Sequence, residues 1–414
     1  MRPYIASLLL VAGSARADIA NRNLFPIGEQ EAFRANAGIA GSSPGSVFHN
    51  PAGLAKMDHS ELAASGSTYM YFRTSTDRLL DLDEPVPYTM SGFAPIPASL
   101  VTTYKVGDYH LATAILVPDM FTLDNRVRYM TAAARLELQQ SVRRQDLWLG
   151  GCISRRLGDY VSVGLTLFGI RRTSISNSFF QVTTTAQPTA INQTSSSEAT
   201  TIIGATAVLG VNVDVAPWVT IGARIEPPFV QFTGSADLYQ AQLASDGTNP
   251  AQAAEVDLEG VSIHQPVPAD FGIGFAVTPS DVITIYLDGA LQLPTRYTYI
   301  DDPALGPPVE VRLYAAPRVS LGADVHVHEK VTIRGGGLYN RSSQRRLEQP
   351  GDSREDFWGG TLGVTFTSGR TRTSVGAMVL RSDSTIVPYS MTPGETEPAA
   401  TTIVSGLLST AYLL

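Results

Sequence analysis

Residue types that could carry out catalysis are present, but their spacing does not favour an active site. His326 and His328 would share one face of a strand, as two metal ligands can. They flank a predicted turn and have no third ligand near them, so we expect a solvated turn. Serine is frequent, but we expect no strained nucleophile elbow of the lipase type. The sequence therefore predicts no catalytic residues, no metal site and no cofactor, and a protein that is not an enzyme.

Basic residues that alternate with apolar ones are candidates for anion binding. By strand parity they would point to the interior of a closed sheet, and they are Arg224, Arg312, Arg318 and Arg334. Such guanidinium groups could hold the carboxylate of a fatty acid. Each could instead pair with a carboxylate such as Glu226, Asp288 or Asp324 and neutralise a polar lumen. The two interpretations remain open at this point.

Apolar residues within long polar segments are candidates for ligand capture. Phe179 and Phe180 lie in a predicted loop over 174–199, and Leu238, Tyr239 and Leu243 lie in a second over 234–264. Exposed apolar patches often bind ligands. Aromatic residues near strand ends also form the interfacial girdle of membrane barrels, which is the alternative for the phenylalanines. The stretch 130–140 has helical periodicity and is predicted to be a short loop helix.

The elements that would position these residues are strands. Apolar and polar residues alternate with period two along most of the chain, as in Val161-Ser162-Val163-Gly164-Leu165. Very short turns alternate with long polar segments, which is typical of bacterial outer-membrane barrels. Fourteen strands are predicted at 60–73, 97–106, 109–117, 145–156, 159–172, 200–214, 217–230, 268–278, 281–294, 309–327, 330–342, 356–367, 370–384 and 401–414. We therefore predict an all-β, antiparallel transmembrane barrel with both termini in the periplasm.

The N-terminus and the composition agree with export. Residues 1–17 combine a basic start, a short apolar core and a small-x-small cleavage site, which predicts a signal peptide. Its removal leaves 28 basic and 38 acidic side chains, a net charge of −10 that disfavours nucleic acid as a partner. The single cysteine, Cys152, excludes an internal disulfide, and we expect it to be an unreactive wall residue.

Residues 18–58 are rich in small residues and do not alternate, so they are predicted to form a plug rather than wall. One helical turn is expected over 29–35. The sequence Asn50-Pro51-Ala52-Gly53, just before the first predicted strand, resembles the hatch motif of the FadL/TodX-type outer-membrane transporters. The segments 268–292 and 317–343 resemble two wall hairpins of that family. The barrel would then occupy 59–414.

The resemblance implies uptake of hydrophobic compounds, such as long-chain fatty acids or hydrocarbons, by passive diffusion and lateral exit. The family's exit lies at a kink in the third wall strand, and here Pro118 follows that predicted strand. Pro118 would mark such an opening or would simply end the strand. The family often has Pro-Phe-Gly at this place, whereas this chain has Pro118-Asp119-Met120.

The implied partners are a hydrophobic small molecule and outer-membrane lipid, and the implied assembly is a monomer. The alternative functions are a general porin and a structural or adhesive barrel without hydrophobic transport. A secreted soluble β-protein is a further alternative, and an outer-membrane enzyme that assembles its catalytic residues from several strands is a third.

Overall fold

A computed structural model describes residues 20–81, 85–94, 98–132, 134–185, 190–303, 308–347, 352–388 and 395–414. The predicted signal peptide lies outside the described residues. The described chain forms β-strands almost throughout, with three short helical turns near its N-terminus. Within these residues no helix is both long enough and apolar enough to cross a bilayer.

The strands begin directly after the N-terminal segment. The first ten are β1 (Glu61–Asp81), β2 (Pro85–Ala94), β3 (Ala98–Val106), β4 (Tyr109–Met130), β5 (Ala134–Leu157), β6 (Val161–Thr184), β7 (Ala190–Ala216), β8 (Val219–Glu226), β9 (Val230–Asp246) and β10 (Gln252–Ser262). The others are β11 (Asp270–Ser280), β12 (Ile283–Gln292), β13 (Thr295–Ile300), β14 (Val309–Leu313), β15 (Ala316–His328), β16 (Val331–Asn340), β17 (Ser353–Ser368), β18 (Thr371–Ile386) and β19 (Glu397–Leu413).

The sheet closes on itself as a barrel. Each wall strand pairs antiparallel with the next along the chain, and β19 pairs with β1 from Glu61 opposite Leu413 to Thr76 opposite Ala399. The barrel sheet has seventeen segments, and three wall strands consist of two successive segments each, namely β2–β3, β8–β9 and β10–β11. Counted this way, the described residues form fourteen wall strands, and closure leaves no free sheet edge at the level of β1, β3 and β19. The predicted fold class is confirmed.

The predicted long loops over 174–199 and 234–264 are largely wrong. β6 and β7 pair continuously from Val161 opposite Val213 to Thr183 opposite Ile191. β9 and β10 likewise form a ladder across most of the second segment. The predicted helix over 130–140 is also wrong, because β5 begins at Ala134 and pairs with β4 and β6. In these paired segments both faces of the strands carry many polar side chains. The alternation of apolar and polar residues is therefore weak there, although the backbone pairing continues.

The outer face of the wall carries an apolar belt. Its exposed members come from successive strands and include Leu62, Leu100, Ile115, Leu149, Leu167, Leu209, Ile225, Phe271, Leu287, Leu321, Leu362, Val379 and Leu408. The inner face at the same level is polar, as at Ser162 and Thr166 of β6 and Ser374 of β18. A soluble sheet buries its apolar face, so this inverted arrangement is typical of a barrel in lipid.

Four consecutive wall strands are interrupted at one level. Glu226, Asp270, Gln292 and Ala316 are successive cross-strand neighbours, and each adjoins a break in its strand. The breaks contain or adjoin prolines, which cannot donate to a ladder: Pro227, Pro228, Pro266, Pro268, Pro294 and Pro317. Beyond this level, β13 and β14 leave the wall and form a separate two-stranded sheet.

The β13–β14 hairpin lies against the inner face of β9–β10. The Tyr299 hydroxyl on β13 donates to Glu198 Oε1 of β7 at 2.7 Å, and both side chains are buried. Tyr297 and Val311 pack in the same apolar cluster as Leu238 of β9 and Val261 of β10. The hairpin therefore covers this end of the lumen from inside.

Residues 20–60 fill the lumen below that end. They contain the 3-10 turn Glu31–Arg34, a four-residue α-helix Ser46–His49 and the 3-10 turn Pro51–Lys56. The first of these falls within the predicted helical turn over 29–35. Phe33, Val47, Ala52 and Leu54 are almost fully buried. This segment, called the hatch below, is a plug inside the barrel.

Candidate functional site

Asn50 connects the hatch motif to the rest of the hatch and to the wall. Its side-chain Oδ1 accepts a hydrogen bond from the Ala52 backbone N–H at 3.1 Å and caps the turn that begins at Pro51. Its amide donates to the carbonyl of Ile39 at 2.6 Å and to that of Val211 on β7 at 3.2 Å. Asn50 is fully buried. The predicted hatch motif therefore holds three separate backbone segments together.

Wall glycines make room for the hatch motif. A Cβ atom at Gly164 of β6 would lie 2.4 Å from the Pro51 carbonyl carbon and 2.6 Å from the Ala52 nitrogen. One at Gly210 of β7 would collide with Asn50. Such distances are far below van der Waals contact, so only glycine permits the hatch backbone to lie against these strands.

Ion pairs join the hatch to the opposite wall. Arg34 in the first turn lies 3.6 Å from Glu31 and 3.5 Å from Asp324 of β15. Arg334 of β16 reaches the same Asp324 at 3.4 Å. Asp288 Oδ2 on β12 accepts from the backbone N–H groups of Gly38 and Ile39 at 2.6 and 2.9 Å.

Hatch electrostatics follow from this burial. Burial by itself raises the pKa of Glu31, but Arg34, His49 and the Ser43 hydroxyl together hold that pKa below its ordinary value. Burial lowers the pKa of His49, and the opposing charge of Glu31 does not fully compensate. Burial opposes the charge of Arg34, yet Asp324 and neighbouring groups raise its pKa above the ordinary value. Glu31 and Arg34 are thus held charged, and His49 is held neutral.

Ser43 lies in the sequence Gly41-Ser42-Ser43-Pro44-Gly45, which has the Gly-x-Ser-x-Gly spacing of a nucleophile elbow. This segment was not singled out as a candidate site from the sequence. The structure gives it another role. Its hydroxyl donates to Glu31, and the His49 ring nitrogen Nε2 lies 2.9 Å from the Ile27 carbonyl oxygen. Ser43 is 1% exposed. The segment therefore packs the hatch and has no Ser–His hydrogen bond.

Three of the four predicted lumen arginines line the lumen, and Arg312 does not. Arg224 and Arg318 both pair with the buried Asp270 of β11, at 2.6 and 2.7 Å. Arg224, Arg318 and Arg334 line the lumen beside the hatch. The expectation for Arg312 is wrong: the side chain is exposed and stacks near Tyr314, because residues 309–327 are two strands and a break shifts the parity.

Arg224 and Arg318 also border a small cavity between hatch and wall. Its volume is about 50 Å³. A cavity of about 150 Å³ is known to hold benzene, so this one is too small for an organic ligand. Asp270 offsets one of their two positive charges, and the carboxyl groups of Glu226 and Asp288 also lie near Arg224. This arrangement favours the interpretation that the two arginines balance a polar lumen.

A larger cavity lies between the N-terminal part of the hatch and the wall. Its volume is about 230 Å³. The N-terminal stretch 21–25 of the hatch forms one side. Wall residues form the rest, and the apolar ones are Met70, Phe72, Met90, Phe121, Trp148, Val267, Phe357 and Ile403. Phe72 and Phe121 have ring centroids 5.3 Å apart, so two aromatic faces meet at this surface.

The polar groups of this cavity balance in number. Three guanidinium groups, of Arg22, Arg144 and Arg172, face three carboxyl groups, of Asp119, Asp146 and Glu355. Arg172 makes a forked pair with Asp146, with Nε 3.0 Å from Oδ1 and Nη2 3.1 Å from Oδ2. A cavity that is apolar over much of its surface and balanced in formal charge suits a small neutral molecule.

Pro118 lies at the wall of the same cavity. The β4–β5 ladder is shifted between Leu116 and Asp119, so Val117 and Pro118 form a bulge. The β3–β4 ladder begins at Ala98 opposite Val117. The predicted lateral-opening residue is therefore both at a ladder interruption and in the cavity lining. The finer geometry around 95–97 lies outside the described residues.

The predicted capture residues do not line this cavity. Phe179 and Phe180 lie in β6, and Phe180 packs near Val86 and Leu136. Leu238, Tyr239 and Leu243 lie in β9, which pairs with β7, and not in the predicted loop. Leu238 is buried under the β13–β14 hairpin, whereas Tyr239 is exposed.

The other candidate reactive residues lie apart from the cavity. Cys152 is buried in the wall, and His326 and His328 are exposed at the end of β15. Within the described part of the chain, no three metal-ligating side chains come together.

No family model matches this chain, and no curated protein sequence does. Solved structures match over nearly the whole length. The monoaromatic hydrocarbon channel CymD is 13% identical, with 95% of this chain and 99% of that chain covered and a TM-score of 0.63.

Two further solved structures match similarly. The toluene transporter TbuX of Ralstonia pickettii is 14% identical over 95% and 99% of the two chains, with a TM-score of 0.60. A FadL homologue of Pseudomonas aeruginosa is also 14% identical over the same shares, with a TM-score of 0.63. The chain has the fold of the FadL/TodX-type channels. The predicted resemblance is thus confirmed for the fold, including a plug that precedes the first strand.

Proposed function

We propose that this protein is a plugged outer-membrane channel that takes up small hydrophobic molecules by passive diffusion. The observation that carries the proposal is the 230 Å³ cavity between the hatch and the wall, which is apolar over much of its surface and has several aromatic side chains in its lining. The fold it shares with hydrocarbon channels supports the same function. The hatch fills the lumen beside the cavity, which argues against a general porin.

The cavity favours a compact ligand. It exceeds the volume of about 150 Å³ that is sufficient for benzene, but not by a large factor. A single aromatic ring or a short aliphatic chain fits that space better than a fully enclosed long-chain fatty acid. The substrate class proposed here is therefore a small hydrophobic compound, and among the two classes expected from the sequence the hydrocarbon is preferred.

The route follows from the two ends of the cavity. We infer that a ligand enters past the β13–β14 hairpin, which covers the outer end of the lumen, and rests beside Phe72 and Trp148. It leaves sideways at Pro118, where the wall ladder is interrupted and the lipid phase lies beyond one layer of backbone. The apolar belt would hold the barrel in the bacterial outer membrane, with both termini on the periplasmic side and the chain acting as a monomer.

Tryptophan fluorescence of the purified protein tests ligand binding. Trp148 lines the cavity, whereas Trp218 and Trp358 are 56% and 50% exposed. In a variant with Trp218→Phe and Trp358→Phe, we expect toluene to change the emission of Trp148 in a saturable way. Decanoate serves as the acidic ligand and is expected to bind more weakly. No saturable change with any hydrophobic ligand would contradict the proposal.

A further inference from the structure

One carboxyl group of the cavity lining, that of Glu355, forms no ion pair among the described residues. Glu355 of β17 shares the inward face with Phe357, and both line the cavity. Its Oε1 accepts a hydrogen bond from the Thr401 hydroxyl at 3.0 Å. Within the described residues no lysine, arginine or histidine pairs with it, and its second oxygen remains accessible at the cavity surface. The other carboxyl groups on this surface belong to an ion pair or to further interactions.

The neighbouring hydroxyls orient this group. Thr401 Oγ1 lies 3.0 Å from Thr74 Oγ1. Since the single Thr401 proton is directed to Glu355, the Thr74 hydroxyl donates to Thr401. Both threonines line the cavity with Glu355. This chain of hydrogen bonds uses one carboxyl oxygen and leaves the other as an acceptor that points at a ligand.

We propose that Glu355 is a specificity-determining residue that selects neutral ligands carrying a hydroxyl group, such as a single-ring phenol, over the corresponding hydrocarbon. A hydroxyl would donate to the accessible Glu355 oxygen while its ring packs against Phe72 and Phe357. A buried acceptor without a donor costs free energy, so a ligand without a hydroxyl leaves this oxygen unsatisfied. This inference rests on the proposed function, since it concerns the ligand of the same cavity.

Charged ligands suit the cavity less well. Arg22 and Arg172 already pair with Glu226 and Asp146, so a carboxylate would have to compete with these partners. An ammonium group could pair with Glu355 but would also meet the guanidinium groups of Arg22, Arg144 and Arg172. Moving either ion out of water also costs several kcal/mol unless a partner of opposite charge compensates. A neutral donor avoids both penalties, which leaves the alcohol or phenol as the class that the lining recognises.

Binding of p-cresol, toluene and benzylamine to the purified full-length protein tests this inference. We expect p-cresol to bind the wild type more tightly than toluene. Glu355→Leu should weaken p-cresol binding by about ten- to a hundredfold, because a hydrogen bond to a charged group is lost. Toluene should bind this variant more tightly, because no carboxyl oxygen is left unsatisfied, and heat-modifiable gel migration shows that the variant is folded. Glu355→Gln keeps an acceptor oxygen and should lie between the two.

The outcomes separate the two proposals. If toluene binds but p-cresol gains nothing over it, and Glu355→Leu changes neither affinity, the role of Glu355 is overturned while the channel function stands. Tighter binding of benzylamine than of p-cresol would overturn the preference for neutral ligands. If neither toluene nor p-cresol binds the wild type in a saturable way, the proposed function itself fails.

Discussion

Gly164 offers a sensitive test of how the hatch is seated. A Cβ atom there would lie 2.4 Å from the Pro51 carbonyl carbon, and Gly164 is held in β6 by ladders to β5 and β7. The wall cannot move easily, so Gly164→Ala should displace the hatch motif. Overpacking of this kind costs about 1–3 kcal/mol. The hatch would then open locally about five- to 150-fold more often, because each 1.4 kcal/mol is roughly a factor of ten.

Hydrogen–deuterium exchange of the backbone amides measures this opening. The amides of Gly53 and Met57 donate to the carbonyls of Asn50 and Leu54 within the hatch, at 2.9 and 3.0 Å. They should exchange faster in Gly164→Ala by that factor. Gly169→Ala on the same strand is the matched control, since its Cβ atom would meet only the Leu149 oxygen at 3.9 Å. Equal exchange rates in the two variants would refute the close seating of Pro51 on β6.

Three further changes have defined outcomes. Asn50→Ala leaves the Ile39 and Val211 carbonyls without their donor and should lower the local stability of the hatch by about 1–3 kcal/mol. A protease should then cleave the hatch faster, and an unchanged cleavage rate would count against the role of Asn50. Arg172→Ala breaks a buried ion pair with Asp146 and should lower the free energy of unfolding by about 3–5 kcal/mol, which a lower thermal unfolding midpoint would show. The double variant with Asp146→Asn should lose less than the sum of the losses in the two single variants. The pKa of His49 is lowered in the folded hatch, so the unfolded chain binds the proton more tightly. As the pH falls below 6.5, protonation therefore favours the unfolded state and the hatch loses stability. His49→Gln should remove this dependence, as measured by amide exchange at about pH 7.5 and about pH 5.5; an unchanged pH profile would contradict it.

The barrel could be predicted because its wall obeys a simple rule. Alternation in segments such as 159–172 follows directly from lipid on one face and a polar lumen on the other. The tight turns were equally predictable, since Gly107, Gly158 and Gly369 adopt positive φ between adjacent strands. Beyond the apolar belt both faces of a strand can be polar, and the alternation then disappears. For this reason β6, β7, β9 and β10 extend through segments that were expected to be loops.

The cavity was much less predictable. Glu355, Thr401 and Phe72 come from strands that are distant in sequence, and only closure of the barrel brings them together. Parity identified the inward face of Arg224 and Arg334, but it failed at Arg312 because a break in the strand changes the face. The hatch motif was recognisable from its residues, whereas the glycines that admit it are identified only by the distances between wall and hatch.

The central claim is that small hydrophobic molecules pass through the cavity beside the hatch. Ile403 of β19 faces the cavity, and its neighbour Val404 faces outward and is exposed. Ile403→Trp should fill the cavity, while Val404→Trp adds the same side chain outside it. The most direct measurement is the initial rate at which cells producing each variant take up labelled toluene or p-cresol. The account predicts that uptake in Ile403→Trp falls to the level of cells without the protein, while Val404→Trp matches the wild type. Uptake by Ile403→Trp at the wild-type rate, with normal amounts of folded barrel, would contradict it.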